Sequence, residues 1–176
     1  MPERLFKQEI MAEFLEDIGS VFRGVRECAV GNFEEPKQNV DYFMGVDLGR
    51  YEDFTVLTIV RRMPDNTLRV VAWDRFKDIS WKLQEQRILE LAYKYKPYIL
   101  IDLGQVGDKV YEDLQMKYAN IEGIKFTNEI KTDMINFLSK LIEEKQVIFP
   151  DIPELVEELR IFEYESTPSG KLKMNA

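Results

Sequence analysis

The sequence predicts an α/β fold: a mixed sheet of three antiparallel strands followed by parallel strands, flanked by helices. Three runs rich in β-branched and aromatic residues, 42–48, 54–62 and 68–76, are separated only by the turn-like stretches GRYED and MPDNT, the pattern of an antiparallel meander. From residue 80 onward, helical and strand-like stretches alternate, which requires crossovers and parallel pairing. The 176 residues suffice for one sizeable domain and are too few for two ordinary ones.

Taken in order, residues 5–17 carry Leu5, Phe6, Ile10, Met11, Phe14 and Leu15 at helical spacing along one face. Residues 31–39, GNFEEPKQN, combine Gly, Pro, Asn and charge without periodicity and read as a linker. After the meander, 80–95 is an amphipathic helix with Ser80 as its N-cap, ended by Pro97. YILIDL, 98–103, is apolar on both alternating faces and reads as a buried, central strand. Helix is expected over 106–118, strand over 121–126, helix over 131–145, and a short strand at QVIFP. A last helix follows Pro153 and runs into an extended stretch. No internal repeat or low-complexity segment interrupts this order.

Composition narrows the chemistry. The chain is 45% hydrophobic and 32% charged, ordinary values for a soluble globular protein. Histidine is absent and Cys28 is the single cysteine, which excludes Ser-His-Asp and Cys-His catalysis, histidine-ligated zinc and any internal disulfide. Cys28 itself reads as a small buried apolar residue. No apolar run approaches the length of a membrane span and the N-terminus lacks a signal-peptide core, so a cytoplasmic protein without membrane contact is expected. The net charge of −8 argues against a uniformly DNA-coating surface. That charge is uneven: residues 1–40 hold eight acids and five bases and 151–176 six acids and three bases, while the middle is close to neutral with 18 acids and 16 bases. Local basic strips fit there.

Two acids stand out. Asp47 in FMGVDLG and Asp102 in ILIDLG each follow an apolar run and precede Leu-Gly. An ionised carboxylate at such a position is costly unless it is paired or bound to metal. If the first and fourth strands are parallel neighbours, both acids emerge at one sheet edge, where open α/β sheets place their sites. Carboxylates without His or Cys select hard cations, Mg²⁺ or Mn²⁺. Two such ions can activate water and stabilise the leaving oxygen in phosphodiester cleavage. The competing structural reading is that each aspartate caps the turn or helix after it. Gly49 is read as supplying a positive φ in a turn, and GQVG, 104–107, as a loop whose N–H groups either start a helix or approach a phosphate. No G-x-x-x-x-G-K-[ST] pattern occurs, so the chain is not itself a P-loop ATPase.

At these residues the sequence resembles the C-terminal nuclease domain of the large terminase subunit of tailed phages and prophages, which has the ribonuclease H-like fold. LFKQEIMAEFLEDIGSVF is similar to the segment that leaves that family's ATPase domain, and FMGVDLGRYEDFTVLTIV to its first strand and turn. ILIDLGQVGDKVYEDL is similar to its D-x-x-G-x-G-x-x-V-x-x-x-L segment, with Gly104 and Gly107 in place of Gly-x-Gly. FTNEIKTDMINFLSKLIEEKQVIFP is similar to its lysine-bearing helix and following strand.

The resemblance implies that Asp47 and Asp102 are two of three metal-binding catalytic acids, with Asp53 as a further candidate metal ligand, against the alternative of a surface turn residue. It implies that Lys131 contacts phosphate, against the alternative that it caps a helix start, and that Arg50 lies where it can contact DNA. It implies a domain division: 1–40 as the helical segment and linker from an ATPase domain, and 41–176 as the nuclease domain, cut short at its C-terminal end. The motor would precede Met1. The family's third acid lies in a G-x-x-D-D-like segment, whereas this sequence ends at GKLKMNA; Glu163 and Glu165 are the substitute candidates, against an exposed strand face. The implied function is metal-dependent endonucleolytic cleavage of concatemeric double-stranded DNA in the host cytoplasm, at the procapsid. In the full-length subunit, the portal protein and the small terminase subunit are the implied partners. Three alternatives share part of the pattern: a ribonuclease H-like enzyme of the Holliday-junction resolvase type, an actin-like ATPase, and a non-catalytic packaging or assembly module. The 176 residues and the lack of a second Asp-Gly phosphate turn count against the ATPase.

Overall fold

A computed structural model describes residues 20–49, 53–104, 108–166 and 172–175, with side chains described for all of these except 108, 109, 163–166 and 172–175. Strands β1 (Tyr42–Asp47), β2 (Thr55–Arg62) and β3 (Leu68–Phe76) form the expected antiparallel meander. β4 (Tyr98–Asp102), β5 (Ile121–Ile124) and β6 (Val147–Ile148) complete a six-stranded sheet in the order β5-β4-β1-β2-β3-β6. β4 pairs parallel to β1, β5 parallel to β4, and β6 parallel to β3. β4 is therefore internal, as its apolar sequence requires, while β6 sits on the opposite edge from β5.

Alternation along the strands divides the core in two. Met44, Val46, Leu57, Ile59, Ile99 and Ile101 point to one face, covered by α2 (Trp81–Tyr95) through Ile88, Ala92 and Tyr95, and by α3 (Asp108–Lys117) through Leu114. On the other face, α1 (Val25–Cys28), α4 (Asn128–Glu143) and α5 (Pro153–Ile161) pack over the β3–β6 side, with Val70, Leu141, Ile142, Phe149 and Val156 in contact. Cys28 is buried there and donates its thiol to the Ile142 carbonyl, 3.4 Å away, as expected of an apolar cysteine. Over β1 this second face is open: Phe43 is 48% exposed and a Cβ on Gly45 would meet no atom within 4 Å.

Several elements differ in detail from the sequence reading. The 31–39 linker is not free. Glu34 N–H donates to the Val71 carbonyl at 3.0 Å, and the Glu34 carboxylate meets Arg61, Arg69 and Lys37. α4 starts at Asn128, three residues before the expected Lys131, because Thr127 caps it: Thr127 Oγ1 accepts from Ile130 N–H at 3.2 Å. Ser80 occupies the N-cap position of α2, but its side chain makes no capping hydrogen bond. The extended stretch after α5 is a hairpin, β7 (Glu163–Ser166) against β8 (Leu172–Asn175). The amphipathic stretch 5–17 lies outside the described residues.

Candidate metal centre

The β1–β4 register builds the site. Val46 stands opposite Ile101, so the next residues, Asp47 and Asp102, end neighbouring parallel strands at the same level. In β1 the buried positions are Tyr42, Met44 and Val46; in β4 they are Ile99 and Ile101. Both aspartates fall on the opposite parity and so share the open face. Two carboxylates on adjacent strands at one sheet end form a hard-oxygen donor set.

Their electrostatics agree with that placement. Asp47 is exposed at its strand end, yet its carboxyl titrates above the ordinary aspartate range. Partial burial of the carboxyl group is the largest cause; the negative charge of Asp102 adds to it, Lys131 opposes it, and Asp53 adds a smaller push. Asp53 and Lys131 are thus both within electrostatic reach of Asp47. Lys131 lies inside the first turns of α4, its N–H donating to the Thr127 carbonyl at 2.9 Å, so it is not the residue that caps the helix start.

Asp102 serves the turn after it as well. Its Oδ1 accepts from Gly104 N–H at 2.8 Å, which commits that N–H to the carboxylate and away from any phosphate. Oδ2 has no protein partner among the described residues. Among the described residues no group of three or more acids is close enough together to hold a metal. Among the described residues the donors are thus a pair, which would suit one Mg²⁺-like ion that keeps water in its remaining positions. Arg50 and residues 105–107 of the GQVG loop lie outside the described residues, as do the side chains of Glu163 and Glu165.

Two residues that sequence reasoning passed over shape the Asp47 turn. Thr55 is 1% exposed; its hydroxyl accepts from Gly49 N–H at 3.0 Å and donates to Gln84 Oε1 at 2.9 Å. Gln84 Nε2 in turn donates to the Ile79 carbonyl at 3.3 Å. The signal was present: Gln84 falls on the Ile88–Ala92–Tyr95 stripe of α2, where a polar residue must find a partner. Gly49 has a role other than the expected positive φ, since Gly24 is the only described glycine in that region. A Cβ at Gly49 would stand 2.4 Å from the Asp53 carbonyl oxygen and 2.5 Å from the Phe54 carbonyl carbon, so backbone meets backbone there.

Two open depressions of about 560 and 270 Å³ lie elsewhere, over β3 and α2, sharing Trp73, Leu91 and Lys94. Neither includes Asp47 or Asp102. No described helix is long and apolar enough to cross a membrane.

Comparison with known proteins points in one direction. A family model described as "Terminase RNaseH-like domain" matches residues 44–173. The terminase large subunit of Thermus virus P23-45 is 28% identical over 187 residues, covering 100% of this chain and 38% of that protein. The chain thus spans a little over a third of the length of that relative. Among solved structures, the large terminase nuclease of thermophilic phage G20c with bound magnesium is 26% identical, with a TM-score of 0.80 over 91% of this chain and 89% of that one. The large terminase nuclease domain of Thermus phage P74-26 is 25% identical, with a TM-score of 0.78 over 89% and 85% of the two chains.

Proposed function

Because the chain belongs to the terminase ribonuclease H-like domain family, we propose that it is a metal-dependent endonuclease that cuts double-stranded DNA by phosphodiester hydrolysis during genome packaging. The observation that carries the reading is the parallel β1–β4 register, which sets Asp47 beside Asp102 on one open face.

Asp47 and Asp102 are the residues that would hold the ion, Mg²⁺ or Mn²⁺. When bound, such an ion neutralises phosphate charge and lowers the pKa of water at the reacting phosphorus. The protein's own groups do the rest. Asp102 is oriented by the Gly104 N–H, and Asp47 by a turn held through Gly49, Thr55 and Gln84. Lys131 brings a positive charge to the same site, where it attracts the scissile phosphate. Asp53 adds a third negative charge nearby that favours cation capture. With no histidine in the chain, no imidazole base takes part. Arg50, next to Gly49 in the sequence, completes the reading as a DNA contact. In a full-length subunit, this domain would work behind an ATPase motor, with portal protein and small subunit as partners.

A second reading, a DNA-binding module without catalysis, draws on the lack of a three-acid group among the described residues. Plasmid cleavage in Mg²⁺ and in Mn²⁺ separates the two. The chain should cut, and Asp47→Asn and Asp102→Asn should each lower the rate at least about a hundredfold, as removal of a group that stabilises transition-state charge does. Cleavage that survives both substitutions rejects the assigned pair. No cleavage with either ion, despite ion binding by calorimetry, favours the module.

A further inference from the structure

This acidic chain matches half of its described lysines with acids. Lys37, Lys94, Lys117, Lys140 and Lys145 each sit within ion-pair distance of a glutamate. Among the described side chains, Lys77, Lys82, Lys96, Lys125 and Lys131 have no such partner. Four of these five stand at the Asp47 end of the sheet. Lys96, the C-cap of α2 just before β4, is at the other end.

The positions of Lys77 and Lys125 are fixed by strand register. Lys77 follows Phe76, which pairs with Thr55, itself next to the partner of Asp47. Its Nζ lies 5.0 Å from the centroid of the Phe54 ring, on which the Arg75 guanidinium also sits at 3.6 Å. The ring thus props an exposed ammonium at this end. Lys125 follows Ile124, the register partner of Asp102, and is exposed. In the order β5-β4-β1-β2-β3, one lysine flanks Asp102 and the other lies beyond Asp47. Four strand spacings of about 4.8 Å place them about 19 Å apart, the axial rise of roughly five or six phosphates on one DNA strand. Among the described residues, Asp53, Asp78 and Glu129 are acids of the same region, and no ion pair joins any of them to either lysine.

We propose that Lys77 and Lys125 are the outer phosphate contacts of a duplex laid across this end of the sheet, with Asp47 and Asp102 between them. The assignment rests on the nuclease reading for its ligand and adds the direction in which DNA crosses the site. Lys82, in the first turn of α2, and Lys131, on α4, are placed to add charge along the same path.

Binding of a short labelled duplex over a salt series tests this, in an Asp47→Asn background so that cutting plays no part. Lys77→Gln and Lys125→Gln should each reduce the slope of log K against log salt by about 0.9, and the double variant by about 1.8. Lys96→Gln, an unpaired lysine at the far end, should leave the slope unchanged, and unchanged melting temperatures show that all variants are folded. A double variant with the parental slope overturns the assignment, as does a Lys96→Gln loss equal to the other two, which would mean diffuse attraction. Absence of duplex binding also overturns it. Metal-dependent cleavage is measured separately, so the nuclease reading can stand or fall apart from the lysines.

Discussion

Thr55 is where the candidate site is most exposed to a single atom. Its buried hydroxyl links the backbone of Gly49, after Asp47, to Gln84 of helix α2 by hydrogen bonds. Thr55→Val keeps the shape and leaves Gly49 N–H and Gln84 Oε1 without this partner, a cost of about 1–3 kcal/mol. Calorimetric titration with Mn²⁺ should then show weaker binding for Thr55→Val than for Thr55→Ser, which retains the hydroxyl. Equal affinities would show that the hydroxyl does not position the turn. The acids themselves were legible in the sequence because a charge closing an apolar strand contradicts its surroundings. Thr55 was not, because threonine is also an ordinary strand former and its burial comes from neighbours far along the chain. Gly49 was legible as a required glycine for the wrong reason: the turn needs room for the Asp53 and Phe54 backbone.

Among the elements, the 31–39 segment departs most from its sequence. Arg61 and Arg69 are direct cross-strand partners, a repulsive pairing that Glu34 resolves by bonding both. Burial pushes the Glu34 carboxyl up, but hydrogen bonds from Lys37 and Arg61, with their charges, pull it below the ordinary range. A depressed carboxyl stabilises the fold above the ordinary glutamate pKa, and that contribution is lost as pH falls through the depressed value. Glu34→Gln should therefore cost about 2 kcal/mol at neutral pH, less than a fully buried pair because Lys37 and Arg69 reach solvent. Denaturant melts should show the gap narrowing toward acid; a gap that is constant with pH would mean that packing, not charge, holds the segment. Nothing local announces this strap, since Glu34 and its arginines are 27 and 35 positions apart. The start of α4 was missed for a nearer reason: threonine and asparagine serve turns as readily as helix starts, and here Thr127 is the cap.

At the scale of the molecule, the meander and the alternation of helices and strands came through from sequence because period and turn residues are local signals. The position of β6 beside β3, away from the other parallel strands, did not, since two residues of pairing leave no pattern to read. An ion bridging β1 and β4 should brace the whole sheet. At a metal concentration a hundred times Kd, linkage adds about 2.7 kcal/mol, which for a chain of this size raises Tm by about 5–10 °C. Thermal melts with Mg²⁺ and with chelator should show that rise in the parent chain and its loss in Asp102→Asn. A rise that persists in the variant would place the ion elsewhere.

Asp47 and Asp102 are 55 positions apart, and the strands that bear them meet only through a crossover containing two strands and a helix. A chain emerging from the ribosome therefore exposes the first acid well before the second exists. The Asp47–Asp102 pair is assembled by the same long-range closure that completes the sheet, so the two carboxylates meet only in the finished fold.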